Sequence, residues 1–481
     1  MHRTASAVVH ASLAQAARIA RAHKHVRLDF IDITPYHLPM SKSWQRRHVL
    51  QLGLLTLPAL ACARRPRRVI QSREPGPRYV LNIYLRGGWD AIWTSDPKTR
   101  NEVETDIDVP YPGDAIITAG NVQYGPHMRP IRRWLSRSVF VRGVQTYTAN
   151  HHTGSMQNLR LKTRVTYQHP GIVDLIGKQS PRGQPLTSVA LGPQLFRGYS
   201  GGMFSLSSHR QPDGSQKDLL QELYDTDPVD LLRLAATQRK QAEKLRASGA
   251  VATTAERHQA ADHMERSAAL MERLPDIPPP SLEKWPADLD GLQDTGRLNP
   301  HTFYGGFVSE LQRALWFIEN DLTRGIFYRA SGGWDSHFQN TNWQTISTIP
   351  FFFALARFMD ELSTRSNAHG PLLDNTVIVV SSELGRFPQL NDVQGKDHLP
   401  VTQVLLWAKD IPKSTEGGEA YGGTGRRMEP LPVDVQTGRP GGSHMLSLDD
   451  IGATLLTMTG LNPELYGYTG VPLPFLLRAR S

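Results

Sequence analysis

The tetrapeptide Gly-Gly-Trp-Asp occurs twice, at 87–90 and at 332–335, each time just after a β-rich run, Tyr79-Val-Leu-Asn-Ile-Tyr-Leu85 and Gly325-Ile-Phe-Tyr-Arg-Ala330. Glycine lets the chain turn sharply past a strand end, and each turn then presents an aspartate there. In an open α/β sheet, ligands gather at the carboxyl edge, so Asp90 and Asp335 are expected to converge; two ordinary Gly-Asp turns are the plainer alternative. The second copy continues as Asp335-Ser336-His337, a carboxylate and an imidazole two residues apart, which suits ligands of one divalent ion. Asp397-His398 pairs the same residue types in a Gly-Lys turn that feeds the apolar run 399–406. Asp262-His263 is the contrast, because it lies in a charged helical stretch and is expected on a solvated face.

Residues 376–386 read Thr-Val-Ile-Val-Val-Ser-Ser-Glu-Leu-Gly-Arg, a strand followed by a carboxylate, a glycine and an arginine. Glu383 could complete a metal site, and Arg386 could hold an anionic group with its fork of donors. A simple ion pair at a strand end competes with that reading. Asn150-His151-His152-Thr153-Gly154-Ser155 follows another strand-like run and is expected to open a helix, placing hydroxyls at an N-terminus where anions are favoured. Ser155 or Thr153 is then a candidate nucleophile, with a metal or a histidine such as His152 to activate it. A helix cap with structural or surface histidines would use the same residues.

The elements that must position these side chains are legible as apolar runs. Residues 79–85, 138–144, 376–380 and 404–407 read as core strands of a parallel sheet. Phe307, Leu311, Ala314, Leu315, Ile318 and Leu322 fall on one helical face, and a further helix is expected after Pro350, with Leu355, Phe358, Met359 and Leu362 inward. Strands alternating with helices predict a doubly wound α/β fold with a mostly parallel sheet flanked by helices. Residues from about 228 to 280, rich in Ala, Arg, Glu and Gln and ending in Ile277-Pro278-Pro279-Pro280, read as a solvated helical insert. Gly417 to Arg427 reads as a long loop.

The chain has 481 residues, 39% hydrophobic and 21% charged, with a formal net charge of +9. Much of the positive charge is local to the N-terminal region (Arg46, Arg47, Arg64, Arg65, Arg67, Arg68, Arg73, Arg78), so a nucleic-acid partner is discounted. The single cysteine, Cys62, excludes an intramolecular disulfide and a cysteine-rich zinc site, leaving histidine and carboxylate as metal ligands. Cys62 closes the apolar run Val49 to Ala61, too short to span a bilayer, which takes roughly 20 residues as a helix. Ahead of that run, Ser41-Lys42-Ser43-Trp44-Gln45-Arg46-Arg47-His48 has the layout of a twin-arginine export signal, which implies the twin-arginine translocase as a partner. Ala59-Leu60-Ala61-Cys62 resembles a lipobox, giving a lipid anchor at Cys62, and Ala59-Leu60-Ala61 equally suits plain cleavage. The expected organisation is an N-terminal extension at 1–39 that packs against nothing, a signal at 40–62 starting at Met40, a basic linker at 63–78 and a folded domain at 79–481. The expected location is periplasmic, secreted or lipid-anchored at the cell envelope.

YLRGGWD, a histidine segment after the next strand, GGWDSHFQN, VIVVSSELGR, GKDHLPV and a Tyr-Gly loop, in that order, resemble the bacterial family known as domain of unknown function 1501. That resemblance implies an alkaline-phosphatase- and sulfatase-like fold with divalent metal, zinc as one or two ions, at the carboxyl edge of the sheet. By motif it implies Asp335, His337 and His398 as ligands of one ion, and Asp90 and Glu383 as ligands of another. Leu384 stands where phosphatases of the superfamily carry a histidine, and the HHTGS segment differs from their nucleophile motifs. The expected activity is hydrolysis of a phosphate or sulfate ester, or of a related anionic small molecule or polymer. The alternative is a non-catalytic envelope binding or assembly protein that keeps the fold.

Overall fold

Both faces of the central strands are apolar, and the chain covers both. In the computed structural model the described residues are 78–477, apart from 167–168, 180–183, 194–202, 206–208, 211–215, 218, 249–253, 293, 295–297 and 412–417. The expected extension, export signal and linker, up to residue 77, lie outside them. Ser72–Gly249 and Arg257–Ser481 make one compact unit; the other, Met1–Gln71 with Ala250–Glu256, lies outside the described residues except for the start of one helix.

The main sheet comprises Tyr79–Arg86 (β1), Val139–Gln145 (β2), Leu186–Leu191 (β3), Phe204–Ser205 (β4), Thr323–Ser331 (β5), Thr376–Ser381 (β6), Val401–Trp407 (β7) and Glu419–Gly422 (β8). Their order across the sheet is β8-β2-β7-β6-β1-β5-β3-β4. All but β7 run the same way. The reading of 404–407 as a parallel strand is therefore corrected: β7 is antiparallel to both β6 and β2. The reversal follows from how the connection is built: β6 and β7 are joined through the hairpin of Gly385–Arg386 with His398–Leu399, which turns the chain back at the carboxyl edge, where parallel neighbours would need a crossover to the opposite edge. It also puts the start of β7 at the carboxyl edge of the other strands.

On β1, Tyr79, Leu81, Ile83 and Leu85 enter one core with Pro300–Glu319 and Asn340–Thr364, while Val80 and Tyr84 enter a second with His151–Arg160, Ile172–Gly177 and Leu448–Met458. We label these helices with the insert in chain order: α1 (His151–Arg160), α2 (Ile172–Gly177), α3 (Pro228–Ala247), α4 (Thr254–Arg273), α5 (Pro300–Glu319), α6 (Asn340–Thr364) and α7 (Leu448–Met458). The result is a sheet between two helical layers, which explains strands that read as continuous apolar runs rather than alternating ones.

Three expectations change. Helix α6 begins ten residues before Pro350 and runs through it; burial of Phe351, Phe352, Leu355 and Phe358 offsets the hydrogen bond that proline cannot donate. Part of the glycine-rich stretch is the edge strand β8. The insert is less solvated than its charge suggests: Leu231 and Ala235 on α3, and Ala268, Leu270 and Met271 on α4, belong to the main core. Among the described residues no helix is long and apolar enough to cross a membrane.

Candidate metal centre

The two Gly-Gly-Trp-Asp turns interlock at the carboxyl edge. Gly87 and Gly88 take φ of +129° and +100°, and a Cβ on Gly87 would lie 2.5 Å from the Asp335 nitrogen. That closeness explains the glycine there. Gln344 on α6 ties the turns together, donating to the Gly88 and Trp334 carbonyls at 3.2 and 3.0 Å and accepting from the Asp90 amide at 3.1 Å. Trp89 and Trp334 are fully buried and anchor the turns from below. The equivalence ends at the aspartates. Asp335 faces partly into solvent, whereas Asp90 is buried.

Asp335 meets three imidazoles. His151, Asp335, His337 and His398 each offer a donor atom, and these atoms all lie within 4.8 Å of one another. Helix α1 supplies His151 from its first turn, capped by the Asn150 side chain, which accepts from the amides of His152 and Thr153. Such a cap contributes about 1 kcal/mol and fixes where the helix starts. His398 comes from the hairpin before β7, so the reversed strand delivers it to the same edge.

Each ring has its Nδ1 held by an oxygen acceptor. His151 Nδ1 lies 2.7 Å from Glu383 Oε1, His337 Nδ1 3.0 Å from Asp397 Oδ1, and His398 Nδ1 2.6 Å from the Ala149 carbonyl. A carbonyl and ionised carboxylates only accept, so in each neutral ring the proton sits on Nδ1 and Nε2 is left as a lone pair. These lone pairs converge. His337 Nε2 is 2.9 Å from His398 Nε2, while Asp335 oxygens stand 3.1, 3.2 and 3.4 Å from Nε2 of His151, His337 and His398. His151 Nε2 is buried and makes no hydrogen bond. Two ligands bonded at about 2.0–2.1 Å to one tetrahedral zinc are roughly 3.3 Å apart, so the spacing and the donor chemistry both fit a divalent cation.

The electrostatics agree. The carboxylates of Asp335 and then Glu383 push His151 up to about 9. Burial alone would raise Asp335; His151, His398 and Arg386 outweigh it and hold the carboxyl far below its ordinary range.

Of the residues that the motifs suggested as ligands, Asp335, His337 and His398 come together. Asp90 does not join them: its Oδ2 accepts from Lys396 Nζ at 2.8 Å and from Asn340 Nδ2 at 2.9 Å, so a buried ammonium already balances it. Glu383 is fully buried and accepts from the Gly87 amide at 2.9 Å and from Ser382 Oγ at 3.0 Å. It reaches the cluster only by holding His151.

The proposed catalytic groups also sit differently from expectation. Ser155 is buried against the Tyr84 hydroxyl, and burial, with the charge of Glu383, pushes that phenol well up, so it cannot serve as a base. Thr153 and His152 are exposed in the first turn of α1. Arg386 is buried, donating to the carbonyls of Gly87, Gly88 (3.1 Å) and Lys396 (2.9 Å) and to Asp335 Oδ1 (2.7 Å). Its fork clamps the turns rather than facing an incoming anion. His151 was not singled out as a ligand; the signal for it was Gly154 one turn later, where a Cβ would sit 2.9 Å from Glu383 Cβ.

No curated protein matches the chain. Among solved structures, it is similar to a lipoteichoic acid synthase from Listeria monocytogenes (8% identity over 84% of this chain and 76% of that one, TM-score 0.37). It is also similar to a sulfatase from Pseudoalteromonas sp. (12%, 84% and 72%, TM-score 0.36), and to an alkaline phosphatase superfamily protein from Vibrio parahaemolyticus (9%, 85% and 72%, TM-score 0.32). Likenesses this distant leave the chemistry to the side chains. Residues 312–475, which supply Asp335, His337 and His398 and the Glu383 and Arg386 that brace them, match the model of a family described as a protein of unknown function, DUF1501.

Proposed function

We propose that His151, Asp335, His337 and His398 hold a divalent cation, zinc by their donor chemistry, and that the protein is an exported hydrolase of phosphate or sulfate esters or a related anionic group. What supports this most is the convergence of three Nε2 lone pairs on one carboxylate at a solvent-facing edge. Such an ion supplies Lewis-acid polarisation of the ester oxygen and lowers the pKa of water toward 7. The chain's own contribution is to fix three tautomers through Glu383, Asp397 and Ala149, and to keep Asp335 ionised through Arg386. With Ser155 turned to Tyr84 and Ser336 donating to Asn340 at 2.6 Å, these serines are engaged elsewhere, and the attacking oxygen is taken from solvent on the exposed His337 side. Export is inferred from the layout of 40–62.

One observation favours a second reading. Four protein ligands close a tetrahedral zinc site, the arrangement of structural rather than catalytic ions, and that would suit an envelope binding or assembly protein. Metal content and turnover of aryl phosphate and aryl sulfate, measured on the wild type and on His398→Ala, separate the cases. Bound zinc with turnover lost in the variant supports the hydrolase. Zinc without turnover supports the binding protein, and a wild type that takes up no zinc removes the metal site and the hydrolase with it.

A further inference from the structure

The carboxyl end of β1 carries a guanidinium that the metal centre does not use. Arg86 is half-buried, yet among the described residues its side chain has no hydrogen-bond or ion-pair partner. Residues alternate between faces along a strand, so Arg86 shares the face of Tyr84, whose hydroxyl meets Ser155 of α1. Its position next to the cluster is fixed by the chain: the following amide, of Gly87, donates to Glu383 at 2.9 Å, and Glu383 holds His151 at 2.7 Å. Across the ladder, Tyr84 is in register with Arg329 and Arg86 with Ser331. Arg329 is also half-buried, and both arginines act electrostatically on Tyr84.

A half-buried guanidinium with no partner carries a desolvation cost that nothing offsets, and an anion beside Arg86 relieves it; Arg329, on the same face, has a partner of its own. Arg386 cannot take that part, since its donors are committed to Gly87, Gly88, Lys396 and Asp335. We propose that Arg86 receives the non-bridging oxygens of the substrate's phosphate or sulfate group. The assignment rests on the hydrolase reading of the metal cluster. It makes Arg86 the residue that selects an oxyanion, because a planar fork matches two oxygens of a tetrahedral anion.

The test is calorimetric titration of the zinc-loaded full chain with inorganic phosphate and, separately, with sulfate, using wild type, Arg86→Met, Arg86→Lys and the surface control Arg233→Met, with zinc content measured on every sample. Wild type and control are expected to bind at least one anion, and the preferred one names the ester class. Arg86→Met is expected to weaken binding about tenfold or more at unchanged zinc content. Arg86→Lys, which keeps charge and stem but loses the fork, is expected to fall between and decides the matter if the methionine variant does not fold. Anion affinity equal to wild type in both variants, or no anion binding by the zinc-loaded wild type, overturns the proposal. A wild type that takes up no zinc but still binds the anion through Arg86 overturns the hydrolase reading and leaves the Arg86 assignment standing.

Discussion

His151 has a carboxylate on each side, Glu383 at Nδ1 and Asp335 at Nε2, and without a cation it answers by holding a second proton, with its pKa pushed up to about 9 by those charges. A metal at the cluster must displace the Nε2 proton, so protons and metal compete. Apparent zinc affinity is therefore expected to strengthen about tenfold per pH unit between pH 7 and 9 and to level off above, as read by competition with a chelator. A flat profile would show that His151 does not ligate. His151→Ala should lower zinc content far more than His152→Ala or the exposed control His263→Ala. This is where sequence reading reached its limit. The spacing of Asp335-Ser336-His337 and the Asp397-His398 pair drew attention to three ligands, because short-range spacing is visible in a chain. Which of two adjacent histidines faces inward depends on helical phase. Asn150 as cap sets that phase, and the face through Gly154 is the one pressed against Glu383.

The site is exact because its turns bear on each other with backbone rather than long side chains. Gly87 stands so close to Trp334 and Asp335 that a Cβ there would overlap main chain, at a φ that other residues rarely adopt. Its amide also carries Glu383. Gly87→Ala is expected to destabilise the fold by about 1–3 kcal/mol and to lower zinc occupancy in the protein that still folds. Gly305→Ala, mid-helix in α5 with nothing within 4 Å of its Cβ, is expected to stabilise by about 0.5–1 kcal/mol and leave zinc unchanged. Denaturant melts with metal analysis check both; if the two variants behave alike, the glycines are not what sets the turns. The repeated Gly-Gly-Trp-Asp was a sound sign of two turns at one edge, but not of equal roles for the aspartates. Lys396 neutralises Asp90, and nothing in the local spacing around either residue foretells that pair. The direction of β7 was hidden for a similar reason, since an apolar run carries no sign of its orientation.

For the molecule as a whole, location and stability are expected to depend on parts away from the metal cluster. Export is expected to depend on Arg46 and Arg47. Changing both to Lys should trap the protein in the cytoplasm, because a guanidinium pair is read by geometry that an ammonium lacks; cell fractionation reads the outcome, and unchanged export removes the signal assignment. The insert is the complementary case. Its helices α3 and α4 bear surface ion pairs such as Arg239 with Glu272, each worth little at an exposed site. Its hold on the domain comes from its inner face, where Leu231, Ala235, Ala268 and Leu270 join the main core. The end of the insert is bonded too, with Trp316 Nε1 donating to the Pro278 carbonyl at 2.8 Å and Arg273 to the Asn320 carbonyl at 3.1 Å. Yet the four candidate ligands and their braces all come from outside 228–280. Leu270, 1% exposed, is the position that separates the two roles. Leu270→Ala should leave a cavity and cost about 2–5 kcal/mol, visible as an earlier denaturant midpoint at unchanged slope. Zinc per folded chain and its affinity should match wild type, because a core defect in the insert moves no ligand. His398→Ala should show the opposite pattern, with zinc lost and the metal-free midpoint nearly unchanged. Zinc loss in Leu270→Ala at temperatures where the chain is fully folded would mean that the insert helps to shape the centre.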